Sequence, residues 1–146
     1  MFQPTTKEEL KSAVDLWCKN KKEALEKYGD INTWDVSKIT DMNELFKDKE
    51  NFNQDISNWD VSNVENMSYM FANASSFNQD ISSWDISNVT NMSWMFWNAE
   101  SFNQDVSLWD VSNVKYMSYM FCSASSFNQR SEEHTSELQS PMYLVC

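Results

Sequence analysis

Apolar residues recur along this chain at steps of three, broken once per cycle by a step of two. In residues 55–79 they fall at Ile56, Trp59, Val61, Val64, Met67, Met70, Phe71, Ala74 and Phe77. The two-residue step puts Trp59 and Val61 on one side of a short extended segment, with Asp60 facing the other way. The stretch ENMSYMFANAS instead suits a short helix, with Met67, Met70, Phe71 and Ala74 on one side. The whole cycle returns every 25 residues: Trp34, Trp59, Trp84 and Trp109, then Met42, Met67, Met92 and Met117, then Phe46, Phe71, Phe96 and Phe121. One strand and one short helix cannot bury their apolar face alone, whereas stacked copies can. The pattern therefore predicts an α/β repeat solenoid over residues 30–129, with about four 25-residue strand-plus-short-helix copies and a parallel ladder of short strands.

Ahead of the repeats, TTKEELKSAVDLWCKNKKEALEKYG has helical spacing instead. Leu10, Ala13, Val14, Trp17, Ala24 and Leu25 form the apolar stripe, Thr6 with Glu9 fits a capping box, and Gly29 is placed to end the helix. A stack needs its first apolar layer covered, so residues 1–29 are predicted to be a single capping helix.

At the other end the period stops abruptly. Phe127-Asn128-Gln129 opens a further cycle, but Arg130 stands where Asp is expected. The tail RSEEHTSELQS matches, residue for residue, the translation of a common sequencing adapter, so residues 130–146 are expected to be a non-native artefact and the chain a fragment. The last copy is then expected to expose an uncapped apolar layer, open to self-association.

Composition narrows the function. The formal charge of −11 disfavours nucleic acid and anionic membranes as partners. Discarding Arg130, Glu132, Glu133 and Glu137 moves it only to −9, and also removes His134, the one histidine. Glycine occurs once and proline twice, so the turns must rest on Asn, Asp and Ser side chains. Cys18, Cys122 and Cys146 lack metal-site or CxxC spacing, and no disulfide framework is expected. No apolar run is long enough to span a bilayer, and the start, MFQPTTKEELK, shows no basic region followed by an apolar one. The usual catalytic constellations are absent, and carboxylates that recur identically in each copy do not make the asymmetric cluster catalysis needs. An enzyme is not expected.

Ile56-x-x-Trp59-x-Val61 has the spacing of the leucine-rich-repeat signature L-x-x-L-x-L. The unit W-D-[VI]-S-x-V-x-x-M-S-x-M-F-x-x-A-x-x-F-N-Q-D-[VI]-S resembles the BspA-like leucine-rich-repeat surface proteins, in the branch with 25- to 26-residue repeats found in bacterial surface proteins and lipoproteins. It departs from the leucine-rich pattern at Val64, Val89 and Val114, near where a buried Asn often stands. The resemblance implies a surface-exposed or secreted scaffold that binds a protein or glycan and carries no cofactor.

Two sets of residues are candidates for that contact. Asn58, Ser83 and Leu108 vary between copies and flank the expected strand, beside Asp60, Ser62, Asp85 and Asp110. Tyr69, Trp94, Trp97, Tyr116 and Tyr119 are variable aromatics in or beside the expected helix. Asp35, Asp60, Asp85 and Asp110 should also stack at about the inter-strand distance of 4.8 Å, where unit charges repel by roughly 0.9 kcal/mol even in water. Either turn hydrogen bonds or a bound cation such as Ca2+ should offset this, and the second would suit a structural spacer. Four sequons, at Asn66, Asn73, Asn88 and Asn91, are expected as by-products of an Asn- and Ser-rich chain.

Overall fold

A computed structural model of the chain describes residues 1–128; the expected artefact tail lies outside them. Helix α1 spans Lys7–Lys19 and helix α2 Lys21–Tyr28, followed by one 3-10 turn, Ile31–Thr33. The expected single capping helix is thus two. Asn20 divides them, ending α1 at φ −148°, ψ 84° while its Oδ1 accepts the Glu23 N–H to start α2. Thr6 caps α1, its Oγ1 accepting the Glu9 N–H at 3.1 Å, while Glu9 Oε1 accepts from the Thr5 N–H at 2.8 Å, one residue before the N–H a capping box would use. Gly29 ends α2 at φ 77°, and its N–H reaches the Leu25 carbonyl.

The helices bury Leu10, Ala13, Val14, Trp17 and Ala24 in the same core as the first copy, whereas Leu25 is 41% exposed. Trp17 meets Trp34 edge-on at 5.9 Å. Lys49 Nζ, 2.9 Å from Asp15 Oδ1, ties α1 to that copy, and Lys11 Nζ donates to the Leu45 carbonyl at 3.3 Å.

The α/β repeat solenoid is not what the chain forms. Among the described residues, the repeat region has no α-helix and no named strand. Only isolated parallel bridges link Asp41, Asn66, Asn91 and Tyr116. The leucine-rich-repeat and solenoid descriptions fall with it. The reason lies in how the amides divide. In one set, N–H groups bond three residues back: Met70 to Met67, Ala72 to Tyr69 and Ala74 to Phe71. The intervening N–H groups of Met67, Tyr69, Phe71 and Asn73 bond instead to the carbonyls of Asn91, Ser93, Met95 and Trp97 in the following copy. A strand would send all its pairing to neighbours and a helix would keep it all within itself; this segment does half of each.

Left-handed residues make the division possible. Glu44, Tyr69, Trp94 and Tyr119 have φ of 56° to 63°, and Asp48, Asn73, Asn98 and Ser123 have φ of 56° to 65°. The step of three in the apolar pattern is therefore a run of turns, with an apolar residue at each end of a three-residue bond. Ile56 and Trp59, Val61 and Val64, Met67 and Met70, Phe71 and Ala74, and Ala74 and Phe77 are all joined this way.

The copies stack in register, and their apolar positions are buried as the spacing requires except in the last copy, where Val111, Val114 and Phe127 are only partly buried. Phe46, Phe71, Phe96 and Phe121 lie ring on ring at 5.3, 5.5 and 5.5 Å, within 4° of parallel. Phe52, Phe77, Phe102 and Phe127 form a second column beside them at 6.0, 5.9 and 6.1 Å. Trp34, Trp59, Trp84 and Trp109 are at most 6% exposed, and each indole N–H donates to a main-chain carbonyl, of Gly29, Ile31, Ile56 and Ile81 respectively. A buried indole N–H usually finds such a partner. Cys18 is a free thiol.

Candidate functional site

The Asp columns are turn formers. Asp60 Oδ1 accepts the Ser62 N–H at 3.0 Å and its hydroxyl at 2.6 Å, and Asp35 with Ser37 and Asp85 with Ser87 repeat both bonds at the same lengths. Asp110 accepts the Ser112 N–H at 3.0 Å. A second column does the same, through Asn32, Ser57, Ser82 and Ser107 to Asp30, Asp55, Asp80 and Asp105. The seryl hydroxyl, with the N–H behind it, holds the carboxyls of Asp35, Asp80, Asp85 and Asp110 below their ordinary range. At Asp55 the Ser57 N–H leads. Repulsion from the next carboxylate in the column is the lesser effect at Asp55, Asp80 and Asp85. Local donors thus offset the repulsion, as the first of the two expected routes has it, and no group of three His, Cys, Asp or Glu among the described residues could hold a metal ion.

A carboxyl depressed in the folded state adds stability above its unfolded value, about 3.9, and that gain disappears as the pH falls through the folded value. Ser87→Ala is accordingly expected to lower the melting temperature at pH 7, with the gap to the parent protein closing below about pH 4. Equal gaps at pH 3 and pH 7 would mean that Ser87 acts through packing and not through Asp85.

Asn58, Ser83 and Leu108 were expected to flank a strand. They sit instead on turns closed by the Trp59, Trp84 and Trp109 N–H groups, with Leu108 82% exposed. Asn63, Asn88 and Asn113 are exposed and donate through Nδ2 to the carbonyls of Ser37, Ser62 and Ser87 one copy back. Two of the sequon amides are likewise engaged, Asn73 Nδ2 on Asp48 Oδ1 and Asn88 Nδ2 on the Ser62 carbonyl.

The second candidate set comes together as a ribbon. Tyr69 stacks on Trp94 at 5.9 Å and 3°, and Trp94 lies 4.6 Å from Tyr119 and meets Trp97 edge-on at 5.8 Å. Lys47 Nζ covers the outer end, 5.6 Å from the Tyr69 ring centroid. Tyr119 is 44% exposed and Tyr116 61%, while Tyr69, Trp94 and Trp97 are half-buried.

The ribbon is a costly place for large rings. Tyr69, Trp94 and Tyr119 occupy left-handed backbone, at φ 57°, 61° and 56°, which costs an ordinary residue roughly 1–2 kcal/mol. A stacked aromatic pair returns only about 0.5–1.5 kcal/mol. The neighbouring left-handed column uses Asp48, Asn73, Asn98 and Ser123, mostly residues that tolerate this conformation well. Backbone economy alone would have chosen the same here.

The ribbon is also chemically unlike its surroundings. Residues 66–79, 91–104 and 116–128 contain one charged side chain, Glu100. Among the described residues, the indole N–H groups of Trp94 and Trp97 and the hydroxyls of Tyr69 and Tyr119 have no hydrogen-bond partner, in contrast to the four core tryptophans. A separate cleft of about 490 Å³ lies between the helix junction and the first copy, lined by Trp17, Lys21, Lys49, Phe52 and Gln54 among others.

The family model described as "Mycoplasma protein of unknown function, DUF285" matches residues 14–134. The chain belongs to this family. DUF285 is repeat-containing and is also found in BspA-like surface proteins. No curated protein and no solved structure matches the chain. No helix among the described residues of this DUF285 member is long and apolar enough to cross a membrane.

Proposed function

We propose that this chain is a non-enzymatic repeat scaffold that binds a protein or glycan, in the manner of the BspA-like surface proteins in which its family occurs. The observation that carries the reading is the Tyr69–Trp94–Tyr119 ribbon: partly exposed, stacked rings held on left-handed backbone. Depletion of charge with enrichment of Tyr, Trp and Met is the composition of interface centres, and such aromatics supply most binding energy where they are anchors. The cation-stabilised spacer has no comparable support, since the Asp side chains that would hold the ion are engaged by seryl donors.

Biolayer interferometry against immobilised extracellular-matrix proteins and a glycan panel tests this. Trp94→Ala combined with Tyr119→Ala is expected to weaken binding at least about tenfold, while thermal unfolding stays cooperative. Undiminished binding by the folded double variant, or no binding by the parent protein, would remove the ribbon from the function.

A further inference from the structure

We infer that the far face of the fourth copy is a docking surface for one further 25-residue unit of the same kind, brought by a separate chain. The three junctions inside the stack define what such a face takes.

Each junction carries the same six bonds. Between the third and fourth copies, the Met92, Trp94 and Phe96 N–H groups donate to the Tyr116, Ser118 and Met120 carbonyls at 2.7, 3.1 and 2.9 Å. Donation runs the other way at three further points. The Lys115 N–H reaches the Thr90 carbonyl at 2.7 Å, Asn113 Nδ2 the Ser87 carbonyl at 2.7 Å, and the Trp109 indole N–H the Ile81 carbonyl at 3.1 Å. The two earlier junctions repeat all six, with Glu65, Asn63 and Trp59 and then Thr90, Asn88 and Trp84 as the returning donors.

The fourth copy presents the same groups without these partners. Among the described residues nothing accepts from the Met117, Tyr119 and Phe121 N–H groups, and nothing donates to the Ser112 and Lys115 carbonyls. The Val106 carbonyl takes the Trp109 N–H, as Ile81 takes that of Trp84, but it lacks the indole that Ile81 also holds. The apolar layer is incomplete in the same place. Val111, Val114 and Phe127 are only partly buried, whereas Ile86, Val89 and Phe102 one copy back are at most 1% exposed. Any occupant that covers this layer must also satisfy the main-chain groups beside it.

That requirement selects the occupant. An extended peptide of any sequence could offer carbonyls to the three N–H groups, the usual way of joining an open edge. It would not also bring an indole N–H to Val106 and a side-chain amide to Ser112. A unit containing Trp-Asp-[Val/Ile]-Ser-Asn brings both. Its two Phe positions would extend the ring columns, as Phe121 lies on Phe96 at 5.5 Å and Phe127 on Phe102 at 6.1 Å. A second intact copy of this chain does not qualify, because its carbonyl edge lies under α1, where Lys11 Nζ donates to the Leu45 carbonyl. Residues 130–146 hold no tryptophan and supply no such unit. The occupant is therefore a repeat unit whose carbonyl edge carries no capping helix.

The test adds a synthetic peptide of residues 80–104 to the 15N-labelled full chain and follows the backbone amide signals. The Met117, Tyr119 and Phe121 signals are expected to shift saturably and to exchange with solvent about tenfold more slowly or less, with Met67, Tyr69 and Phe71 left in place. A peptide carrying Trp84→Phe, which keeps a ring and removes the donor to Val106, should bind about threefold to tenfold more weakly. Equal shifts with a peptide of the same composition in scrambled order would overturn the proposal, as would no shift at millimolar concentration. Shifts of the same amides on raising the protein concentration without peptide would give the face to a second copy of the chain, and would overturn it too.

Discussion

Phe71→Ala is expected to destabilise the protein by roughly 3–5 kcal/mol, the range for truncating a buried phenylalanine in a core that cannot collapse. Phe71 is fully buried and touches rings on every side: Phe46 at 5.3 Å, Phe96 at 5.5 Å, Phe77 at 4.1 Å and Trp84 at 6.3 Å. Collapse is prevented by the same N–H groups that hold the copies at fixed spacing, because Phe71 and Tyr69 cannot shift without releasing Met95 and Ser93. For a domain of this size the loss corresponds to a melting temperature lower by more than about 10 °C. Because each copy contacts chiefly its neighbours, a cut in the middle of the stack should separate it into two weakened halves. Differential scanning calorimetry would show the single transition broadening or splitting. A drop of only a few degrees with one sharp transition would mean that the columns repack around the void.

Leu10→Asp is expected to do comparable damage from the end. Leu10 is fully buried where α1 meets the first copy, and a carboxylate there has no partner in the apolar layer of Val14, Trp17, Ile31 and Trp34. Burial of an unpaired charge is avoided by protonation or by opening the contact. Since α1 is held mainly by its apolar stripe, undocking is the expected outcome, and Ile31 and Trp34 would then meet water. Loss of helical circular dichroism with dye binding to newly exposed apolar surface would report it. A variant keeping the parent's helicity and melting curve at pH 7 would show that the helices are not needed to cover the first layer.

These two substitutions lie at positions that were legible in the sequence, and the reason is chemical. The 25-residue period selects Ile56, Trp59, Val61, Val64, Met67, Phe71 and Phe77 as interior, and all are buried. The same holds for Leu10, Ala13, Val14 and Trp17 in the cap, while Leu25 is exposed because α2 is a separate short helix after Asn20. The Asp-x-Ser turns followed from the scarcity of glycine. The local backbone was not legible, because a step of three lies between the step of two of a strand and the 3.6 of a helix. Sharing that step out to one strand and one helix hid the turns. Asp48, Asn73 and Asn98 carried a usable sign, being residue types that accept left-handed backbone, yet Tyr69 and Trp94 carried none. The aromatic candidates could be named as variable, but the stacking of Tyr69 on Trp94 and the strain beneath both exist only once the copies are in register.

The one-way bonding of the turn segment also has an electrical consequence. Met42, Glu44, Phe46 and Asp48 all point their N–H groups at the following copy, and the two copies after it do the same through Met67 to Asn73 and Met92 to Asn98. The peptide dipoles of that segment therefore add along the stack as they do along a helix axis, with the carbonyl end negative. That negative end faces the cap, where Lys11 Nζ meets the Leu45 carbonyl at 3.3 Å and Lys7 Nζ lies 3.5 Å from Asp41. The lysines on the inner side of α1 thus act as counter-ions to a macrodipole that lengthens with every copy added.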